Sequence, residues 1–531
     1  MSVPSEKAKR YDRQLRLWGD HGQGCLEDAH ICLINASATG TEILKNLVLP
    51  GIGAFTIVDS NKVRESDLGS NFFVTANAVG KFRAEVAVEL LVELNTEVRG
   101  NFIEDSVESL LDSNPNFFDT FTLVVATDIP ESTLLKLSQA LWKASTLLLV
   151  AWSYGLLGYI RISFPQHEVI EAHPDNSHND LRLDCPFPSL VTYMDQIDLD
   201  NCDNTAHGNV PYLAVLYKYI KKWKDAHNGE MPRTYKEKKE LKSVIEDGIR
   251  KNEDGVPLDE DNFQEAMTNL NGIIVPTQIS SVVQQIFDNP CCDHISPDSS
   301  DFWLLARAVR EFVTNDGCGR LPLRGSIPDM TSSSDLYISL QRAYQSKARE
   351  DLESVSDHLG QLLVSLNKPS NSIPENTIKL FCRNAAFIRV LRYRSIETEL
   401  HSPNVDELRR NLDNPDSDIV YYVLLRAAAQ YYSIFKYYPG GKRGPIEADV
   451  LQMKTSVANL LQQWGLPMYS VRDDHITEFC RYGGGEIHSI AAYIGGVAAQ
   501  EVIKIITKQY VPLNNTYIYN AASCTSMTVE L

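Results

Sequence analysis

The chain has 531 residues, 43% of them hydrophobic and 22% charged, which allows about two to four domains with sizeable cores. Its 50 Lys and Arg against 69 Asp and Glu leave a net charge of −19, which argues against nucleic acid or an anionic membrane as partner, because phosphate-bearing surfaces want a basic face. The ten cysteines form no Cys-x-x-Cys pair. No apolar run approaches the ~20 residues of a membrane span and the N-terminus lacks a signal-like apolar core, so a soluble cytoplasmic or nuclear protein without a zinc site is expected.

In chain order, the first 165 residues alternate strand and helix patterns. An apolar strand at 31–34 enters a turn and a helix carrying Ile43, Leu44, Leu47 and Val48, and a second strand at 55–58 ends on Asp59. A helical stretch at 81–94, strands at 102–103 and 123–126, a helix at 131–144 and a strand at 147–150 follow. This alternation predicts a mostly parallel sheet wrapped by helices. The alternating side chains of GYIRISF, 158–164, predict a half-exposed antiparallel strand.

From about residue 166 long helical patterns take over, at 302–313, 419–438 and 447–464, with breaker-rich stretches at 252–262, 367–374 and 439–445. The basic run at 233–242 reads as a solvated helix face. His167, His173 and His178 show no metal-ligand spacing. A Gly-capped helix at 483–507 and a strand at 515–520 return to α/β character. That helix is rich in small residues (Ala491, Ala492, Gly495, Gly496, Ala498, Ala499). Glycine costs ~1 kcal/mol in a helix interior, so close packing against another element is expected there. The expected organisation is one α/β domain, 1–165 with 481–531, interrupted by a large, mainly helical insertion at 166–480.

Residues 31–59 outline a nucleotide-binding strand-turn-helix-strand unit that has lost most of its glycines. A phosphate loop needs glycines so that the backbone turns tightly and brings its N–H groups against phosphate oxygens. Here the turn reads Asn35-Ala36-Ser37-Ala38-Thr39-Gly40, and Gly40 alone fills a glycine position. The scaffold is kept while the site is emptied.

YDRQLRLWG at 11–19, LKNLVLPGIG at 44–53, VGKFRAEVA at 79–87 and GGVAAQEVIKIITKQ at 495–509 occur in an order and spacing that closely resemble the activating enzymes of ubiquitin and ubiquitin-like modifiers. Those enzymes share the ThiF/MoeB-like, Rossmann-like fold of bacterial sulfur-carrier adenylyltransferases and pair two related α/β domains, of which usually one is active. LRLDCPFP at 181–188, TYKEKKEL at 234–241 and PLRGSIPDM at 322–330 resemble the non-catalytic, regulatory branch that serves neddylation. The sumoylation regulatory branch is similar at the two ends but has a much shorter chain. The resemblance implies a heterodimer with a catalytic subunit that holds ATP, Mg and the thioester cysteine. A ubiquitin-like modifier is the further partner, and this chain is expected to bind no cofactor.

An active adenylation domain of that family uses a glycine loop, an acid for the ribose hydroxyls, an Asn-Arg-Gln turn, a lysine and a metal-binding aspartate. Carried over, Asn35, Ala36, Ser37 and Gly40 stand in the loop, and Asp59, Lys81 and Asp128 stand at the acid, lysine and metal positions. The turn falls on Gly69-Ser70-Asn71, without its arginine, and Ile129 follows Asp128 where the family has a polar residue. Local roles compete for the same residues, and take precedence: Asp59 capping a loop, Lys81 opening a helix, Asp128 accepting N–H bonds in a turn. A vestigial pocket is therefore expected. The family nucleophile stands in a Pro-x-Cys-Thr setting, and only Cys524 precedes a threonine, without the proline and near the chain's end.

The arginine of the family's YDR motif, here Arg13, reaches into the partner's nucleotide site. The local alternative is an Asp12–Arg16 helix pair with Arg13 solvated. The partner interface is expected over 53–70 and 325–337, through Gly53, Ser70, Gly325, Asp329 and Tyr337. A phosphate-binding role for 483–485 ranks behind packing. Beside the regulatory-subunit reading stand the sumoylation branch, a stand-alone nucleotide-using adenylyltransferase and a scaffold without part in catalysis.

Overall fold

The computed structural model describes residues 9–174, 179–258, 260–414, 416–442 and 444–531; His178 lies outside them. The described residues divide into two compact units: one runs to Val169 and resumes over Val390–Leu531, the other covers Ile170–Arg389.

The first unit is built on one eight-stranded sheet. Its strands are β1 His30–Ile34, β2 Ala54–Val58, β3 Arg99–Ile103, β4 Leu123–Thr127, β5 Leu147–Tyr154, β6 Leu157–Ser163, β7 Thr516–Asn520 and β8 Thr525–Val529. The spatial order is β8-β7-β6-β5-β4-β1-β2-β3. β1 to β5 pair in parallel, and β6, β7 and β8 extend the sheet antiparallel. β2 and β4 are buried at every position, as parallel strands covered on both faces must be. Alternate side chains serve alternate faces. Leu33, Val125 and Leu149 join a core with Leu47, Ala498 and Val502. Cys32, Val124 and Val150 join another with Phe118, Leu137 and Leu141.

Every expected element of the α/β part is present, with β1 to β5 one to four residues longer than the sequence pattern indicated. β6 departs from expectation: it is buried on both faces, not half-exposed. Its polar alternation is internal, because Arg161 is 1% exposed and its Nε donates to Glu399 at 2.5 Å. The helix expected at 81–94 is Arg83–Leu94, with Lys81 before it. The helix expected from 483 starts at His488, and the glycines belong to the end of the preceding helix, Asp473–Tyr482, whose cap Gly483 has φ +60°.

The expected boundary at 480 falls at 389/390 instead. The physical reason is a core shared with the sheet. Leu408, Val423, Leu460 and Phe479, from the helices after residue 400, are buried together with Tyr154, Leu157, Ile518 and Val529. The other unit has its own core, in which Leu216, Phe263, Leu270, Leu340 and Tyr344 meet. The basic run at 233–242 lies on the helix Tyr235–Asp247, opened by a Thr234–Glu237 capping box.

The helix His488–Thr507 is, by length and composition, apolar enough to cross a membrane, contrary to the expectation that no such run exists. Here it is a core helix laid on the helix Ala38–Val48. A Cβ at Gly495 would stand 2.6 Å from Glu42 Cβ and 3.0 Å from the Glu42 carbonyl carbon, whereas at Gly496 it would meet nothing within 4 Å. Two neighbouring alanine substitutions should therefore differ in sign. Gly495→Ala is expected to destabilise by about 1–3 kcal/mol through overpacking, and Gly496→Ala to stabilise by up to ~1 kcal/mol through helix propensity. Thermal or denaturant unfolding of both variants measures this, and equal effects would show that the close approach is not there.

Candidate functional site

The glycine-poor turn lies between β1 and the helix Ala38–Val48. Asn35 takes the left-handed conformation at φ +63°, which asparagine tolerates. Its Nδ2 donates to the carbonyls of Thr127 and Asp128, both at 2.9 Å. Ser37 caps the helix, accepting from Gly40 N at 3.1 Å and donating to Thr127 Oγ1 at 3.0 Å. Gly40 is held by close approach: a Cβ there would lie 2.8 Å from the Asn35 carbonyl oxygen and 3.0 Å from Thr127 Oγ1.

The first free N–H groups of that helix are the natural seat of a phosphate, and they are taken. Ala38 N donates to Glu486 Oε2 at 2.9 Å, and Thr39 N and Oγ1 donate to Glu486 Oε1 at 3.1 and 2.7 Å. A carboxylate supplied by the far end of the chain stands where a phosphate oxygen would.

The ribose acid is equally engaged. Asp59 is 1% exposed. Its Oδ2 accepts from Ala36 N at 2.9 Å and Arg83 Nε at 2.7 Å, and its Oδ1 accepts from Asn61 N and Nδ2, both at 2.9 Å. Burial alone would lower the Arg83 guanidinium, but the Asp59 carboxylate outweighs it and holds the pKa above its ordinary value. Arg83 thus fills the side of Asp59 that a ribose would need. Asn71 seals the loop from behind, donating to the Ala36 carbonyl at 2.9 Å and accepting from Thr41 Oγ1 at 3.1 Å.

Lys81 is exposed, and no side-chain hydrogen bond or ion pair joins it to this pocket among the described residues. Asp128 is reached by solvent, has φ +45°, and among the described residues makes no carboxylate hydrogen bond that would suit the turn role expected of it; its backbone carbonyl accepts instead. The protein packed around it, then the charge of Glu486, holds its pKa above the ordinary 3.8. Among the described residues no group of three or more His, Cys, Asp or Glu is arranged to hold a metal ion. The residues present therefore do not fit ATP with magnesium: the helix amides carry an anion already, the acid carries an arginine, and Asp59, Asp128 and Glu486 together repel a polyphosphate.

Six of the ten thiols are shifted away from the reactive thiolate. Burial pushes the thiols of Cys25, Cys32 and Cys185 up, Cys292 to about 11, and Cys382 and Cys480 to about 12. A thioester-forming cysteine needs the opposite shift. Cys524 is exposed in the turn between β7 and β8.

Arg13 stands apart from this sealed pocket. Tyr11, 2% exposed, anchors the chain where the helix Asp12–Asp28 begins: Asn95 Nδ2 donates to its hydroxyl at 3.0 Å. Two residues on, the Arg13 side chain is 96% exposed, 3.8 Å from Asp12. Asp12 itself pairs more closely with Arg16, at 3.1 Å. Of the positions expected at an interface, Gly53 is a packing residue, since a Cβ there would stand 1.9 Å from the Glu27 carbonyl oxygen. Ser70 is half-buried between exposed Leu68 and Phe72. Gly325 has φ +77° and backs onto Ala348, and exposed Asp329 accepts from the Tyr337 hydroxyl at 3.4 Å.

Sequence reasoning missed Glu486 and Arg83. Arg83 had a signal, standing two residues after Lys81 in a family-like motif. Glu486 had only its place beside a glycine turn, 447 positions from Thr39.

Two substitutions probe the sealed pocket. Glu486→Ala leaves the Ala38 and Thr39 amides without their anion and should cost about 1–2 kcal/mol of stability in denaturant unfolding; an unchanged midpoint would remove the anion role. Asp128 binds its proton more tightly folded than unfolded, so its ionisation lowers stability as pH rises from 3.8 through the raised value, and the loss is complete above it. Asp128→Asn should therefore raise stability at pH 7 and flatten the pH dependence in that window. A variant less stable at pH 7 would contradict the assigned strain.

The model of the ThiF family matches residues 11–531. The NEDD8-activating enzyme E1 regulatory subunit of Danio rerio is 50% identical over 529 residues, 99% of each chain, and that of Gallus gallus is 50% identical over the same length and shares. The NEDD8-activating enzyme E1 regulatory subunit AXR1 of Arabidopsis thaliana is 41% identical over 99% of this chain and 97% of its own. The chain belongs to the ThiF family and, within it, to the family of NEDD8-activating enzyme E1 regulatory subunits.

Proposed function

We propose that this chain is the non-catalytic, regulatory half of a heterodimeric activating enzyme of neddylation. The pair adenylates a ubiquitin-like modifier and passes it to a thioester on the catalytic partner, which also holds ATP and magnesium. The names of relatives matched over 99% of the chain support the pathway. The observation that carries the division of labour is Glu486 on the amides of Ala38 and Thr39: an adenylation domain whose phosphate seat is filled by its own carboxylate leaves catalysis to its partner.

Arg13 is the residue offered in trans. Its guanidinium, almost fully exposed two residues beyond the buried Tyr11, suits a task of neutralising charge that develops on departing pyrophosphate. The docking surface on this unit includes Ser70, where Leu68 and Phe72 are 39% and 67% exposed and give apolar contact area to a partner. Asp329 and Tyr337 are the corresponding candidates on the other unit.

The test is modifier-dependent ATP–pyrophosphate exchange, with the chain alone and with its catalytic subunit. No exchange alone and strong exchange together is the expected result, with Arg13→Ala lowering the rate of the complex ~10-fold or more at unchanged complex mass. Exchange by the chain alone would sink the proposal. An intact rate in Arg13→Ala would reduce this subunit to a scaffold.

A further inference from the structure

Within the unit Ile170–Arg389 lies a cavity of about 200 Å³ on which four arginines converge: Arg182, Arg320, Arg324 and Arg383. Such a convergence of like charge is costly, since cations near one another in protein surroundings repel and are only partly hydrated. Arg182 has its own counterion. It is 8% exposed, its Nε and Nη2 grip the Asp180 carboxylate at 2.8–3.0 Å, and Nη2 also donates to the Leu321 carbonyl at 2.7 Å. The other three are different. Among the described residues no carboxylate forms an ion pair with Arg320, Arg324 or Arg383.

Arg383 has a local reason for its place, the last turn of the helix Glu375–Asn384. Arg320 and Arg324 have none, since both lie outside helices and strands in the stretch 320–326. Arg324 is fixed by stacking over Phe387, 5.3 Å from the ring centroid. Its Nε is buried without a hydrogen-bond partner. Burial, then the charge of Arg383, pull its pKa below the ordinary 12.5 against the opposing charge of Glu171. A half-buried guanidinium that is held in position, is repelled by its neighbour and has no acceptor for its Nε among the described residues is arranged for an anion. Ser326 and Gln278 add uncharged donors to the same wall.

We propose that this cavity is a binding site for a small multivalent phosphate anion, with Arg320, Arg324 and Arg383 as its cationic ligands. The planar forks of arginine match phosphoryl oxygens two at a time. The size of the space suits a phosphate or pyrophosphate group better than a folded peptide segment. The site belongs to the second unit alone and does not depend on the subunit role proposed above.

Isothermal titration of the full-length chain with sodium pyrophosphate, and separately with inorganic phosphate, tests the site. Saturable one-site binding is expected, tighter for pyrophosphate and weakened at least 10-fold by Arg324→Gln and by Arg383→Gln. Arg409→Gln, at an exposed arginine elsewhere, should leave it unchanged. Arg383 is exposed, so Arg383→Gln carries the test if Arg324→Gln impairs folding, as judged by circular dichroism. Absence of saturable binding, or equal loss in Arg409→Gln, overturns the proposal. So does binding at these arginines of an Asp- and Glu-rich peptide in preference to pyrophosphate, which would reassign the cavity to a protein segment.

Discussion

The carboxylate of Glu486 on the N-terminus of the helix Ala38–Val48 is the contact on which the rest of the first unit depends. A helix start presents unpaired N–H groups and a partial positive charge, and both ask for an anion. In a nucleotide-binding relative of this architecture the anion arrives with the ligand. Here it comes from the same chain, from a residue 447 positions away, and is present whenever the protein is folded. The same bond ties the first strands of the sheet to the segment that returns after the second unit. A long intervening chain adds little to the cost of that closure, because loop entropy grows only logarithmically with length.

Around that contact the polar interior is nearly complete without a ligand. Asp59 holds Arg83, Asn71 holds the turn, and Ser37 and Asn35 join the turn to the end of β4. A ligand-dependent site is soft when empty, since stability supplied by binding disappears with the ligand. In this pocket internal bonds stand where a ligand's would. Asp128 is the remnant that does not fit. It stands at the end of β4 with a raised pKa, burial and the charges of Glu486 and Asp59 outweighing those of Arg83 and Arg64.

Much of this was legible in the residues. Periodicity located the strands and helices of the α/β part, because a parallel sheet covered on both faces needs continuous apolar runs. The missing glycines set the expectation of an emptied phosphate loop, and in the structure Glu486 accepts from the amides of that helix. What was not legible has a common physical cause, namely that its partners are distant in sequence. Arg161 looked like the outward residue of a half-exposed strand because Glu399, which neutralises it, is 238 positions away. The boundary at 389/390 was missed because nothing local distinguishes a helix that packs on the sheet through Phe479 from one that packs elsewhere. Glu486 was invisible for the same reason, while the small residues around Gly495 were readable because close packing leaves a compositional trace even when the partner is unknown.

The filled pocket and the role proposed for Arg13 share one electrostatic rule. A guanidinium that is to act elsewhere must not be neutralised at home, and in a chain with 69 acidic residues that is not automatic. The neighbourhood of Arg13 meets the condition by competition. Asp12, the adjacent acid, lies 3.1 Å from Arg16, one helical turn on, and 3.8 Å from Arg13, and a solvated pair at the longer distance is worth little. Arg83 illustrates the opposite case, buried against Asp59 and committed to it. The same residue type is held two ways within one unit, buried against Asp59 at one position and almost fully exposed at the other.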